Sequence, residues 1–138
     1  MEINARQIQA LAGFRSALRR FLAFSEVASA AAGVTTQQYQ ALLAIKAGPS
    51  GAPAIKELAE ELLLKPNSAV QLIDRLAAQG LVQRQPSVAS RRSVRVSLTD
   101  KGNSVLLHLA ALHIAQLNRR KKQLSEILRQ LKRIDRAE

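Results

Sequence analysis

Apolar residues recur at helical spacing through most of this 138-residue chain, with one stretch where they alternate with polar ones instead. Near the start, Ile8, Leu11, Phe14, Leu18, Phe21 and Leu22 share one helix face, which predicts a long helix from about Asn4 to a stop at Gly33. Thr35 with Gln38 three residues on has the form of a capping box and predicts a helix through about Ala47. Gly48-Pro49-Ser50-Gly51-Ala52-Pro53 has the composition of a surface loop. Two short amphipathic segments follow: Ile55-Lys56-Glu57-Leu58-Ala59-Glu60-Glu61-Leu62, and Ala69-Val70-Gln71-Leu72-Ile73-Asp74-Arg75-Leu76 running up to Gly80. Pro66 opens the second, because a first helical position has no use for the N–H that proline lacks. Leu81-Val82-Gln83-Arg84 and Val94-Arg95-Val96-Ser97-Leu98 then read as strands, joined by a basic loop of about ten residues with arginines at its tip. Beyond Thr99, which is placed to cap, the chain reads as helix to its end. An apolar stripe through Leu106, Leu109, Leu112, Leu117, Leu124, Leu128 and Leu131 is interrupted by Arg119-Arg120-Lys121-Lys122.

Helix, turn, helix and basic hairpin make a winged helix-turn-helix layout. The predicted fold is therefore mainly α with a small β-hairpin, one domain over residues 1–138. Its winged helix-turn-helix core spans about residues 34–102, and the flanking N- and C-terminal helices, 1–32 and 103–138, serve dimerisation. The stripes argue for that role independently, since a lone arm carrying Leu109, Leu112, Leu124, Leu128 and Leu131 would expose a large apolar surface.

Charge narrows the partner. Lys and Arg number 21 against 10 Asp and Glu, a net charge of +11, which favours polyanions: nucleic acid first, an anionic membrane surface second. Cysteine is absent, which excludes disulfides and thiolate–metal sites. No apolar run approaches the roughly 18 residues that span a bilayer, and Met1-Glu2-Ile3-Asn4-Ala5-Arg6 lacks the pattern of a secretory signal. A cytoplasmic, nucleoid-associated protein without a membrane partner is expected. His108 and His113 stand five residues apart and point away from each other on a helix, so no metal or cofactor is expected. Neither a phosphate-binding glycine loop, a nucleophile elbow nor a carboxylate pair is present, so the chain does not read as an enzyme.

The second short helix separates into two faces. Ala69, Leu72, Ile73 and Leu76 fall at core spacing, leaving Asn67, Gln71, Asp74 and Ala78 outward, with Ser68, Val70 and Arg75 on the flanks. Small polar and amide side chains near a helix N-terminus suit base edges in a major groove; Val70 can meet a thymine methyl, and Arg75 a phosphate or a guanine. Arg84, Arg91, Arg92 and Arg95 lie on or around the hairpin loop, where a narrow minor groove would draw an arginine in. Lys56, Lys65 and Lys101 add phosphate contacts, which position a protein without reading sequence. Double-stranded DNA is the partner these features point to.

Taken in order, the segments resemble the MarR family of bacterial transcriptional regulators. Val34-Thr35-Thr36-Gln37-Gln38-Tyr39-Gln40-Ala41-Leu42 is similar to its L-T-x-x-Q-Y-x-x-L opening, and Glu57-Leu58-Ala59-Glu60-Glu61-Leu62 to E-L-A-x-x-L. Leu72 through Arg84 resembles L-v-D-R-L-x-x-x-G-L-V-x-R, and Arg91 through Gly102 resembles the arginine pair and V-x-L-T-x-x-G of the wing exit. The resemblance covers about residues 34–102. It implies a homodimer with interlocked terminal helices, its recognition helices about one DNA turn (roughly 34–36 Å) apart on a pseudo-palindromic operator. It also implies a repressor that a small aromatic or phenolic effector releases; Phe14, Phe21, Phe24, Tyr39 and His108 are candidate lining residues that equally suit ordinary core. The chain departs from the family at Ser90 and Ser87, where acids are usual. That makes the wing more cationic, and leaves as the alternative a charge-driven architectural DNA-binding protein of weak specificity, without ligand sensing.

Overall fold

The computed structural model describes residues 2–87 and 90–132, the side chains of 86–93 and 132 excepted. The elements run α1 (Ala5–Ala31), α2 (Thr36–Ala47), α3 (Ile55–Glu61), α4 (Pro66–Ala78), β1 (Val82–Ser87), β2 (Ser90–Leu98), α5 (Asp100–Arg119) and α6 (Lys121–Lys132). Contacts group them into two units, residues Ser29–Ala110 and the arms Met1–Ala28 with Ala111–Glu138.

The caps follow from local chemistry. Asn4 and Gln7 exchange backbone-to-side-chain hydrogen bonds of 2.9 Å at the start of α1. Thr35 and Gln38 do the same at α2, both at 3.0 Å, as the predicted capping box requires. Thr99 Oγ1 accepts the Gly102 N–H at 3.0 Å and so caps α5.

Three helices end alike, in the pair of backbone bonds that a left-handed residue after a helix makes available. After α1, Gly33 (φ 82°) donates to Ala30 O and Val34 to Ser29 O, each at 3.0 Å. After α4, Gly80 (φ 73°) donates to Ala77 O and Leu81 to Leu76 O, again at 3.0 Å. After α3 the left-handed position is Leu63 (φ 55°), which donates to Glu60 O at 3.3 Å while Leu64 donates to Ala59 O at 2.8 Å. This is the turn of the helix-turn-helix, and it is closed by a residue whose Cβ disfavours the conformation.

The Ser29–Ala110 unit has an aliphatic core. Leu42 and Ile45 of α2, Leu58 of α3, Leu72, Ile73 and Leu76 of α4, Leu81, Val82, Val96 and Leu109 are buried in it. The hairpin corrects the sequence expectation: its strands are long, and residues 91–93 belong to β2 instead of a ten-residue loop. Pairing is antiparallel from Val82↔Leu98 to Pro86↔Val94, then shifts to Ser87↔Ser90, so β2 carries three extra residues opposite the step from Pro86 to Ser87. Proline has no N–H for the ladder, and an irregular register beside it is the expected accommodation. A second correction concerns the last helix, which breaks at Arg120: its N–H bonds Leu117 O at 3.1 Å, and Arg120 O accepts from Leu124 at 3.0 Å to start α6. Four adjacent cations leave this stretch no apolar side chain to hold it against a core.

Candidate nucleic-acid interface

Burial of Ala69, Leu72, Ile73 and Leu76 turns the other face of α4 to solvent. Asn67, Ser68, Gln71 and Arg75 are exposed there, and Val70 is 40% exposed beside them. The N-terminus of α4 is electrostatically bare. Lys65 stands at the cap in extended conformation without a side-chain bond, and the first turn holds no acid. The unsatisfied N–H groups and positive dipole end of such a terminus favour an anion. Lys56, exposed on α3, and Val70 border one depression of about 440 Å³ with Ile55, Pro66 and Val94, so α3, α4 and β2 meet at this surface.

The four hairpin arginines separate into different settings. Arg84 reaches from β1 to Asp74 on the outer face of α4 in a hydrogen-bonded ion pair that remains partly exposed. Arg95 donates from Nη1 to Ala52 O at 3.0 Å, while the next residue, Val96, donates its N–H to Pro53 O at 3.0 Å. Ala54 completes a bridge to Arg95. The root of the hairpin is thereby tied to the segment that precedes α3. Arg91 and Arg92 lie on β2, their side chains outside the described residues. Lys101 Nζ donates to Gln79 O at 2.9 Å, and Thr99 Oγ1 donates to Gly80 O at 2.6 Å.

Asp74 is the site residue whose role the sequence reading missed. The signal was there, since it is the sole carboxylate in residues 62–99 and stands among basic neighbours. Alternation along β1 does not say which strand residue faces which helix, so its partner was not legible.

Of the candidate effector residues, Phe14, Phe21 and Phe24 belong to the arm unit, and Tyr39 and His108 to the Ser29–Ala110 unit. Phe21 and Phe24 pack edge-on against His113, with ring centroids 5.6 and 5.5 Å away, and His113 Nε2 lies 2.8 Å from Ser25 Oγ. His108, by contrast, is exposed, as is Phe14. Tyr39 is buried in the other unit, and burial pushes its phenol above the ordinary value, so it remains a neutral core group. Among the described residues no cluster of His, Asp and Glu could hold a metal, and no helix is long and apolar enough to cross a membrane.

The chain is similar to known proteins both in sequence and in fold. The MarR family model matches residues 32–93. The transcriptional repressor MdtR of Bacillus subtilis is 34% identical over 71 residues, which cover 51% of this chain and 44% of MdtR. The chain spans about half the length of the curated relatives it matches. In fold it is similar to AbsC, a MarR family regulator of Streptomyces coelicolor, with a TM-score of 0.76 at 20% identity over 99% of this chain and 97% of that one. A MarR mutant from E. coli complexed with operator DNA gives 0.71 at 20% identity over 90% and 89% of the two chains.

Proposed function

We propose that this chain is a MarR-type, sequence-specific, double-stranded-DNA-binding transcriptional regulator: a homodimeric repressor that a small-molecule effector releases from a pseudo-palindromic operator. The MarR family model that matches residues 32–93 supports this reading. One observation carries this reading. The bare N-terminus and polar face of α4 stand exposed beside a hairpin rooted against the same unit. In the complex, Asn67, Ser68, Val70 and Gln71 meet base edges in the major groove, and Arg75 a guanine or phosphate. Lys56 and Lys65 hold phosphates. Arg91 and Arg92 enter the adjacent minor groove, with Arg84 and Arg95 adding charge near it.

Exposed apolar side chains on the arms support the homodimer. Ile8, Leu11, Leu22, Ile114, Leu117 and Leu128 are each at least 44% exposed, while among the described residues of that unit the buried apolar ones are Ala10, Ala17 and Ile127. So small a core leaves the stripes for a second copy. MdtR's description as a repressor supports the sign of regulation. The effector is a small aromatic or phenolic anion; Phe21 and Phe24, which pack on His113, are the favoured lining residues of the proposal, ahead of Phe14, Tyr39 and His108.

Selection of binding sites from a random duplex pool, then comparison of the selected site with scrambled duplex at physiological salt, tests the reading. A palindromic site bound about a thousandfold tighter or better is the expected result. Strong, salt-sensitive binding without enrichment would replace it with the architectural alternative. Ser87 and Ser90 favour that second reading, since they leave the wing without acids.

A further inference from the structure

The densest run of uncompensated charge lies outside the winged unit. Arg15, Arg19 and Arg20 stand on α1, and Arg119, Arg120, Lys121 and Lys122 at the α5–α6 junction. Within the arms, residues 3–25 and 111–125 contain no Asp or Glu. All but Arg120 are exposed, and the ion pairs formed among the described residues, Arg84–Asp74 and Arg129–Glu126, use none of them.

Two contacts fix how these stretches pass each other. His113 packs on Phe21 and Phe24, and Ile127 lies beside Gly13, its Cδ1 3.5 Å from where a Cβ would stand. Residue numbers therefore fall along α1 as they rise through α5 and α6. The junction comes level with residues 15–20, and the two sets of cations lie in one zone.

Local energetics oppose this arrangement in the free protein. Arg15 and Arg19 are spaced i,i+4 on α1, where like charges disfavour a helix. Lys121 and Lys122 stand at the positive end of the α6 dipole with no acid in the first turn. Arg120 Nε is buried without a hydrogen-bond partner. A polyanion relieves each of these at once. Five of the seven cations are arginines, whose planar fork suits phosphate, and an extended row of phosphates releases counterions on contact.

We propose that this zone of the arms is a second polyanion-binding surface, which takes the phosphate backbone of a DNA duplex other than the one read by α4 and the hairpin. The choice of DNA rests on the function proposed above, because a protein held on one duplex meets neighbouring DNA at high local concentration. Binding there is insensitive to base sequence, since no groove-reading element accompanies the charge.

The test is energy transfer between donor-labelled and acceptor-labelled random-sequence duplexes, at low salt, with full-length protein. One variant combines Arg119→Gln, Lys121→Gln and Lys122→Gln; a second combines Arg15→Gln and Arg19→Gln. Arg120 is left intact because part of its side chain is buried. The expected result is that wild type joins two duplexes. Each variant should bind a single duplex as wild type does, while its affinity for the second falls about tenfold or more. Transfer unchanged in both variants would assign bridging to the two winged units of a dimer and overturn the proposal. So would single-duplex binding without transfer in wild type, or loss of single-duplex affinity in the variants. Variant-sensitive binding of wild type to phosphatidylserine vesicles, without any bridging, would overturn it in favour of a membrane. Absence of all duplex binding would instead defeat the function on which the choice of DNA rests.

Discussion

Two residues carry backbone constraints of opposite legibility. Gly102 was readable as part of the wing exit, and the structure gives the reason: a Cβ there would stand 1.9 Å from Leu81 O and 2.9 Å from Leu81 C. Leu81 O is fixed by the Thr99 N–H at 3.1 Å, so no flexible side chain can yield. Gly102→Ala should cost about 3 kcal/mol or more, at the upper end of single-substitution effects; a loss under about 1 kcal/mol in urea unfolding would contradict the close approach. Leu63 was not readable, because leucine is no signal for a left-handed turn. Yet it occupies the position that Gly33 and Gly80 hold after α1 and α4, and its side chain is 91% exposed. Leu63→Gly removes about 1–2 kcal/mol of left-handed strain and adds about 0.5–1 kcal/mol of unfolded-state freedom. The net should fall between neutral and about 1.5 kcal/mol of stabilisation. Leu63→Val, β-branched at the same φ, should lower the unfolding midpoint, and the reverse order of the two variants would show that strain is not what governs this turn.

At the scale of elements, helices and their caps were legible because each is encoded within a few residues: Thr35 with Gln38, Pro66 at a helix start, Gly80 at a stop. What joins one element to another was not. Arg84 reads from the sequence as one more wing cation, and only the packing of β1 beside α4 sets it against Asp74. With both side chains partly exposed, this pair should contribute at most about 1 kcal/mol to stability. Its effect on DNA binding is larger in kind, because Asp74 lies on the face proposed to meet the major groove. Arg84→Ala leaves that carboxylate unpaired opposite phosphate, whereas the Asp74→Ala/Arg84→Ala double variant removes it. Duplex affinity should therefore be lower in the single Arg84 variant than in the double. An additive or worse double variant, measured at fixed salt, would show that Arg84 acts through the DNA alone. The hairpin's length was illegible for a related reason: Pro86 looks like a strand end, but the register simply shifts around it.

The whole molecule turns on how the arms complete themselves. Their apolar stripes were visible in the sequence, but a stripe alone does not say whether it meets its own chain or another. Within the arm unit the buried apolar side chains are mostly alanines, while Ile114, Leu117 and Leu128 remain 59%, 44% and 56% exposed. If a second copy covers them, folding is coupled to association, and the thermal midpoint should rise with protein concentration. Leu117→Glu with Leu128→Glu places four carboxylates in a symmetric interface and should shift the protein to monomer in sedimentation. Operator binding then loses the linkage between two half-sites, which is worth about 10²–10⁴ in affinity, while a single half-site should be bound as before because α4 and the hairpin are untouched. A dimer that survives both substitutions would place the interface elsewhere. Equal losses on the half-site and the full site would mean that the arms support the winged unit's fold instead of joining two of them.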